Sequence, residues 1–225
     1  MRDVLLAHRM AWEQYGILHR DISVGNILIH DVDDGTQKSR AIGLLTDWDL
    51  AKTKEGILHP MTSEFPRILS QGTGDFMSAA PAEHPQKPQL LSDDLESAMH
   101  VLNWLALKHM RTRYTGTGMK LAHHPATIYG SRFFLHKHPS NHPFIDLLNR
   151  LSRICAEHYS AQSPEDVIQA ANDGDTSRDT QAEQSFVQLP LLNNHMAFIS
   201  VFEDVLQQKT WPSLEKLPDQ TRTQG

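Results

Sequence analysis

Two short segments carry side chains that can do chemistry: His-Arg-Asp-Ile-Ser-Val-Gly-Asn at residues 19–26 and Asp-Trp-Asp at residues 47–49. The carboxylate of Asp21 is the type of group that accepts a proton from a hydroxyl. Asn26 and Asp47 offer an amide oxygen and a carboxylate oxygen. Magnesium prefers oxygen ligands and is often held by one or two protein groups together with phosphates. Ordinary surface turns contain the same residue types, so spacing and context have to decide between the two interpretations.

The elements that must position these segments are predicted from hydrophobic periodicity. Apolar side chains within residues 3–16 have helical spacing, and Gly16 fits a helix C-terminal cap. Two apolar runs, residues 26–30 and 41–45, flank an Asp-Gly turn and predict a β-hairpin. The first chemical segment therefore lies between a helix and a hairpin, and the second follows the hairpin directly.

The remainder of the chain is predicted to be mainly helical. Residues 52–90 contain five prolines and show no period, which predicts a long irregular segment. The clearest helix follows at 92–109, where apolar residues share one face and the pair Asp93 and Glu96 resembles a capping box. Loops rich in Gly, His and Pro are predicted over 111–143. Two further helices are predicted around residues 144–155 and 193–208.

These elements predict a fold that is mainly α with small β-hairpins. We assign residues 1–215 to one domain. Within it, residues 160–188 are polar and acidic, and this composition predicts a mobile insert or linker. Residues 216–225 are predicted to be a disordered tail.

Four features in the same order resemble the C-terminal lobe (C-lobe) of protein kinases. Residues 19–26 match the H-R-D-x-x-x-x-N catalytic loop, and residues 47–49 stand where kinases carry Asp-Phe-Gly. Residues 72–80 resemble the end of the activation segment, and Asp-Asp-Leu-Glu-Ser at 93–97 resembles the start of the large C-lobe helix. In detail these motifs look like the fungal-type protein kinase-like family, as does Trp-Pro-Ser-Leu-Glu-Lys-Leu at 211–217. The resemblance implies a truncated kinase fold of the α+β type.

The resemblance also implies a role for each residue of the candidate site. Asp21 would be the catalytic base, and Asn26, also counted as catalytic, would bind the magnesium of an ATP complex together with Asp47. Arg20 would be a regulatory residue that bridges to a phosphate on the activation segment. Asp94 would hold the backbone of the catalytic loop, although a plain helix N-terminal cap explains it nearly as well. ATP and Mg²⁺ are the expected cofactors.

Departures from the kinase pattern concern charge near the transferred phosphate. Ser23 stands where many serine/threonine kinases have a lysine, as it does in the fungal-type family. Asp49 replaces the glycine of Asp-Phe-Gly and adds negative charge beside the expected metal. Glu83 is the candidate for the acidic residue of the Ala-Pro-Glu motif. The sequence contains no glycine-rich phosphate loop and no lysine in a Val-Ala-Ile-Lys context, so the resemblance covers the C-lobe alone.

The expected function is phosphoryl transfer from ATP to Ser or Thr hydroxyls of a protein substrate. We expect weak or no activity from this chain alone, because losing one such stabilising contact costs on the order of 3 kcal/mol. A non-catalytic kinase-like module that binds or scaffolds a partner stays open. So does a small-molecule phosphotransferase of the aminoglycoside or choline kinase type, although Arg20, residues 72–80 and residues 93–97 favour a protein kinase.

A C-lobe without its small lobe is expected to leave apolar side chains uncovered on the face where that lobe would pack. We expect either that the N-terminal helix covers this face, that a partner does, or that the isolated chain aggregates. The residues concerned are Ile27, Leu28, Ile29, Leu44, Leu45 and Trp48.

Composition argues against several other classes of protein. The net charge of -6 disfavours general binding to nucleic acid or to an anionic membrane. The single cysteine, Cys155, cannot form an intrachain disulfide, and no apolar stretch approaches the roughly 18 residues of a membrane span. The histidines at 136, 138 and 142 lack a cysteine pair and a recognised zinc spacing, which favours loop histidines. We therefore expect a cytoplasmic or nuclear protein.

Overall fold

The computed structural model describes residues 1–32, 40–58, 76–78, 88–109, 142–160, 192–208 and 211. These residues are mostly helical and include small antiparallel sheets, as the sequence predicts. The helices are α1 (Arg2–Tyr15), α2 (Lys54–Leu58), α3 (Leu91–His109), α4 (Pro143–Ser160) and α5 (Met196–Leu206). The strands are β1 (Ile17–Leu18), β2 (Ile27–Val32), β3 (Arg40–Leu45) and β4 (Lys52–Thr53), with β1 antiparallel to β4 and β2 antiparallel to β3.

Helix α1 ends where the sequence predicts. Gly16 has a φ of 62°, a left-handed conformation that glycine adopts without a steric penalty, and its N–H donates to the Trp12 carbonyl over 2.8 Å. The carbonyl of Gly16 then accepts a hydrogen bond from the Lys54 N–H at 2.8 Å. This turn directs the chain into β1 and onward to the loop that precedes β2.

The β2–β3 hairpin lies against the first turn of α1. The strands pair with Ile27 opposite Leu45 and Ile29 opposite Gly43. The Gly43 N–H donates to Asp3 Oδ2 at 3.1 Å, and a Cβ on Gly43 would lie only 3.3 Å from a methyl group of Val4. Glycine at this position therefore allows the close approach that fixes the hairpin on α1.

Helices α1, α3, α4 and α5 share one hydrophobic core. The first ten residues of α3 are all buried, and α5 packs on α4. Fully buried side chains in the cluster include Leu5, Leu18, Leu95, Met99, Leu148, Leu151, Phe198 and Ile199. The first ten residues of α3, buried on all sides, form the centre of the described part of the chain.

The predicted capping box at the start of α3 is wrong in detail. The helix begins at Leu91, so Asp93 lies inside the first turn and its Oδ2 accepts a hydrogen bond from the Leu90 N–H at 2.6 Å. Glu96 does not cap the helix. It is buried, accepts a 2.6 Å hydrogen bond from the Tyr159 hydroxyl of α4 and pairs with His100 at 3.3 Å.

The two later helices are confirmed with shifted boundaries. Helix α4 extends a full turn beyond the predicted residue 155, and α5 begins at Met196 because residues 192–195 form a turn. The predicted loops over 111–141, the insert at 161–188, the tail at 216–225 and most of the irregular segment between 59 and 87 lie outside the described residues. Among the helices that are described, none is both long and apolar enough to span a bilayer.

The expectation of uncovered apolar side chains is confirmed for part of the hairpin. Leu28 is 51% exposed, Ile29 78% and Leu44 40%. Ile27 and Leu45 instead pack against the hydrophobic core. Leu28 and Leu44 are directly opposite each other, so they form one exposed cross-strand pair.

Candidate functional site

The loop of residues 19–26 is anchored to α3 by the buried carboxylate of Asp94. Oδ2 accepts a hydrogen bond from the His19 N–H at 2.9 Å, and the Arg20 N–H lies 3.1 Å from both oxygens. Asp94 is fully buried, and three residues of α3 precede it, so it is not a helix N-terminal cap. The expected role of Asp94 in holding the loop backbone is confirmed.

His19 joins this loop to the segment that follows β3. The Asp21 N–H donates to His19 Nδ1 at 3.3 Å, so Nδ1 is an acceptor and the proton sits on Nε2, which donates to the Thr46 carbonyl at 2.9 Å. This is the neutral imidazole, and burial lowers the pKa of His19 accordingly. The ring edge also packs on Trp48, with ring centres 4.6 Å apart.

The backbone of Arg20 is left-handed, with a φ of 69°, and its side chain is partly buried. Nε donates to Gln89 Oε1 at 3.1 Å and Nη1 to the Leu50 carbonyl at 3.2 Å, while Gln89 Nε2 donates back to the Arg20 carbonyl at 3.3 Å. Burial lowers the pKa of Arg20, and the carboxylate of Asp94 opposes that shift. Arg20 thus links the loop to Leu50, directly after Asp-Trp-Asp, and to Gln89, two residues before α3. Its expected phosphate partner stays a prediction, since most of the activation-segment region lies outside the described residues.

Asp21 and Asn26 are joined directly across the loop. Asn26 Nδ2 donates to the backbone carbonyl of Asp21 at 2.8 Å and to its carboxylate Oδ2 at 2.9 Å. A short 3₁₀ turn, Val24–Asn26, brings the two residues together. Because the amide nitrogen faces Asp21, the amide oxygen of Asn26 is the atom left to accept a donor or a cation.

Asp47 directly follows Thr46, which is hydrogen-bonded to Asn26. The carbonyl of Asn26 accepts from the Thr46 N–H at 2.9 Å and from the Thr46 hydroxyl at 3.2 Å. Asp47 is exposed and left-handed, with a φ of 61°. The structure therefore brings the two chemical segments to the same end of the hairpin.

The residue types at this end of the hairpin suit magnesium. An amide oxygen from Asn26 and a carboxylate from Asp47 are the hard oxygen ligands that this ion uses together with phosphate oxygens. Groups of three or more His, Cys, Asp or Glu side chains able to hold a metal are absent from the described residues.

The end of the predicted activation segment is described only at residues 76–78. Ser78 is buried and its hydroxyl donates to Asp93 Oδ1 at 2.7 Å. Asp93 thus fixes this segment to the N-terminus of α3. Glu83, the candidate for the acidic residue of an Ala-Pro-Glu motif, lies outside the described residues. Ser23 is buried and Asp49 is exposed.

Sequence reasoning missed two buried histidines that are linked to the loop through Asp94. His8 Nε2 lies 2.9 Å from Asp94 Oδ2, and His8 Nδ1 lies 2.7 Å from His195 Nε2. Both rings are buried, and burial lowers the pKa of His195 to about 3. His8 carried a signal that could have been noticed, since it follows Val4 by four positions on the apolar side of α1. His195 carried none.

Comparison with known protein families identifies one part of the chain. Residues 1–106 match the sequence model of a family described as fungal protein kinase. The match contains both chemical segments and ends within α3. No curated protein and no solved structure matches the chain.

Proposed function

We propose that the chain, whose residues 1–106 match the sequence model of a family described as fungal protein kinase, provides the catalytic C-lobe of a protein kinase. The reaction would be transfer of the terminal phosphoryl group of ATP to a Ser or Thr hydroxyl of a protein substrate. The observation that carries the proposal is the Asp21–Asn26 hydrogen bond in a loop whose backbone is held by Asp94. A surface turn does not require a buried carboxylate beneath it.

Asp21 is the proposed catalytic base. Its Oδ2 is occupied by the amide of Asn26, so we assign Oδ1 to the hydroxyl of the substrate, which it would orient and whose proton it would accept. The hydrogen bond from Asn26 limits rotation of the carboxylate and keeps Oδ1 in one direction.

Asn26 Oδ1 and the Asp47 carboxylate are the proposed magnesium ligands. When bound with ATP, the ion would neutralise charge on the phosphates. Arg20 is proposed to be regulatory. Its guanidinium donates to the Leu50 carbonyl and to Gln89, which precede and follow the activation segment in the sequence. A phosphate added to that segment would therefore have Arg20 as a candidate cationic partner.

We expect the 225 residues by themselves to be a weak catalyst. Kinase catalysis is mostly positioning and charge stabilisation, and the glycine-rich loop and strand lysine that supply much of it are absent from this sequence. Binding of Mg-ATP is therefore a more sensitive test than turnover.

The test combines Mg-ATP titration, followed by amide NMR shifts of the whole chain, with an assay using labelled ATP and generic protein substrates. Asp47→Asn should weaken Mg-ATP binding about tenfold or more, because it removes a carboxylate ligand. Asp31→Asn, which removes an exposed carboxylate from β2, is the matched control. Any slow phosphoryl transfer should disappear in Asp21→Asn. Equal Mg-ATP affinity in all variants contradicts the proposed site.

One observation favours a second candidate function, a kinase-like module that binds a partner without catalysis. Leu28 and Leu44 form an exposed cross-strand pair on the hairpin beside the site, and Ile29 is exposed on the opposite face of β2. The same titration separates the two functions, since a pure binding module would show no Mg-ATP shifts at Asn26 or Asp47. Turnover on a small alcohol or amino sugar, with none on proteins, would support the small-molecule phosphotransferase instead.

A further inference from the structure

A chain of three buried side chains runs from the start of α5 to the catalytic loop. His195, immediately before α5, contacts His8 of α1 at 2.7 Å, and His8 contacts Asp94 of α3 at 2.9 Å. Asp94 in turn accepts from the backbone N–H groups of His19 and Arg20. The exposed fractions of His8, Asp94 and His195 are 0%, 0% and 1%, so water does not compete for these contacts.

We propose that His195 is a positioning residue for the catalytic loop, acting through His8 and Asp94. The inference rests on the proposed function only in that it concerns the same loop. His195 stands 89 residues beyond the end of the family match at residue 106 (195 − 106 = 89). A part of the chain outside the family match would therefore contribute to holding the loop that lies within it.

The hydrogen-bond directions follow from the carboxylate at one end. Asp94 accepts, so His8 Nε2 carries a proton and donates to it. A neutral His8 then has an unprotonated Nδ1, which accepts from the Nε2–H of His195. His195 Nδ1 is buried without a hydrogen-bond partner among the described residues, and a bare lone pair there costs less than an unpaired N–H. Each ring thus has one tautomer that satisfies every donor.

This arrangement fixes the orientation of the Asp94 acceptor. Both Asp94 oxygens accept hydrogen bonds from the loop, and Oδ2 also accepts one from the Nε2–H of His8. A His8 ring released by its partner could rotate about its side-chain bonds and withdraw that donor from Oδ2. His195 prevents this rotation from one side, and on the other His8 lies parallel to Trp48, with ring centres 6.4 Å apart. A looser Asp94 holds the two loop amides less firmly.

Amide hydrogen exchange on the whole chain tests this directly. In His195→Phe, which keeps a ring but removes the donor, we expect the His19 and Arg20 amides to exchange about tenfold faster, with smaller changes elsewhere. His195→Gln, which can still offer an N–H, should restore most of the protection. The matched control is His100→Phe. It also removes a buried histidine from the core, but the ring of His100 contacts Glu96 and not His8 or Asp94. It should not affect the two loop amides selectively.

Unchanged exchange of the His19 and Arg20 amides in His195→Phe, or an equal increase over all helices, overturns the proposal. Should His195→Phe fail to fold, His195→Gln is compared with His195→Asn, whose shorter side chain cannot place its N–H at the same point. Equal protection in those two variants also overturns it. These outcomes are independent of Mg-ATP binding, so the positioning role and the proposed function fail separately.

Discussion

Because His195 is protonated more readily in the unfolded chain than in the folded protein, the free energy of unfolding should decrease as pH falls from 6.5 towards about 3. Burial lowers the pKa of this histidine to about 3, against an ordinary value of 6.5, and the charge of Arg9 adds to the shift while Asp94 opposes it. A proton placed on His195 Nδ1 would be buried without an acceptor among the described residues. The folded protein therefore keeps this ring neutral under conditions in which an unfolded chain protonates it.

The sign and size of the effect follow from linkage. Above pH 6.5 the ring is neutral in both states and the contribution to stability is complete. As pH falls from 6.5 towards about 3, the unfolded state binds a proton that the folded state does not, so the free energy of unfolding decreases. Between about pH 8 and pH 5 the decrease from this one group is about 2 kcal/mol.

Urea unfolding of the whole chain at these two pH values measures the effect. His195→Gln cannot titrate, so the loss of stability between the two pH values should be about 2 kcal/mol smaller in this variant than in the wild type. His30→Gln removes an exposed histidine from β2 and should leave the pH dependence as it is. If the free energy of unfolding decreases equally in His195→Gln and the wild type between the two pH values, the argument from burial is refuted.

Three further predictions concern the loop, α1 and the hairpin. Asp94→Ala should lower the free energy of unfolding by at least about 3 kcal/mol in urea titration, because it leaves buried N–H donors unpaired; a loss below 1 kcal/mol would contradict the anchoring role. Gly16→Ala should cost about 1 kcal/mol in thermal unfolding, since its φ is 62°. Gly25→Ala is the control, because a Cβ there would lie an ordinary 3.8 Å from the nearest atom. Replacing Leu28 and Leu44 together by Glu should reduce hydrophobic-dye binding without changing the helical circular dichroism; unchanged dye binding would show that this pair is not the exposed surface.

The parts of the fold that the sequence predicted are those built from local signals. Helix α1 and its end were readable because an apolar stripe is followed by Gly16, and one glycine in a left-handed conformation is sufficient to stop a helix. The hairpin was readable from two apolar runs and an Asp-Gly turn between them. The anchoring of the loop by Asp94 was expected only through the family resemblance, because no local pattern indicates which amides a helix carboxylate will bind.

The parts that were missed depend on partners far away in the sequence. Glu96 has the position of a capping residue relative to Asp93, yet it binds Tyr159 of α4, 63 positions later, because the whole start of α3 is buried. Local capping is outcompeted there by the need to pair a buried carboxylate. His195 and His8 are 187 positions apart, and no periodicity in either segment could have connected them.

The anchor of the catalytic loop also has a consequence for how the chain is made. The acceptor of the His19 amide is supplied by Asp94, 75 positions later, so at roughly 5–20 residues per second a ribosome needs about 4–15 s to produce it. The partner of His8 lies 187 positions later, a delay of roughly 10–40 s at the same rates. During synthesis, α1 and the loop therefore exist for many seconds with their buried polar groups still in water, and they can take their final positions only after His195 has been translated. The order of translation thus separates the synthesis of the candidate catalytic loop from its completion by the later segments that anchor it.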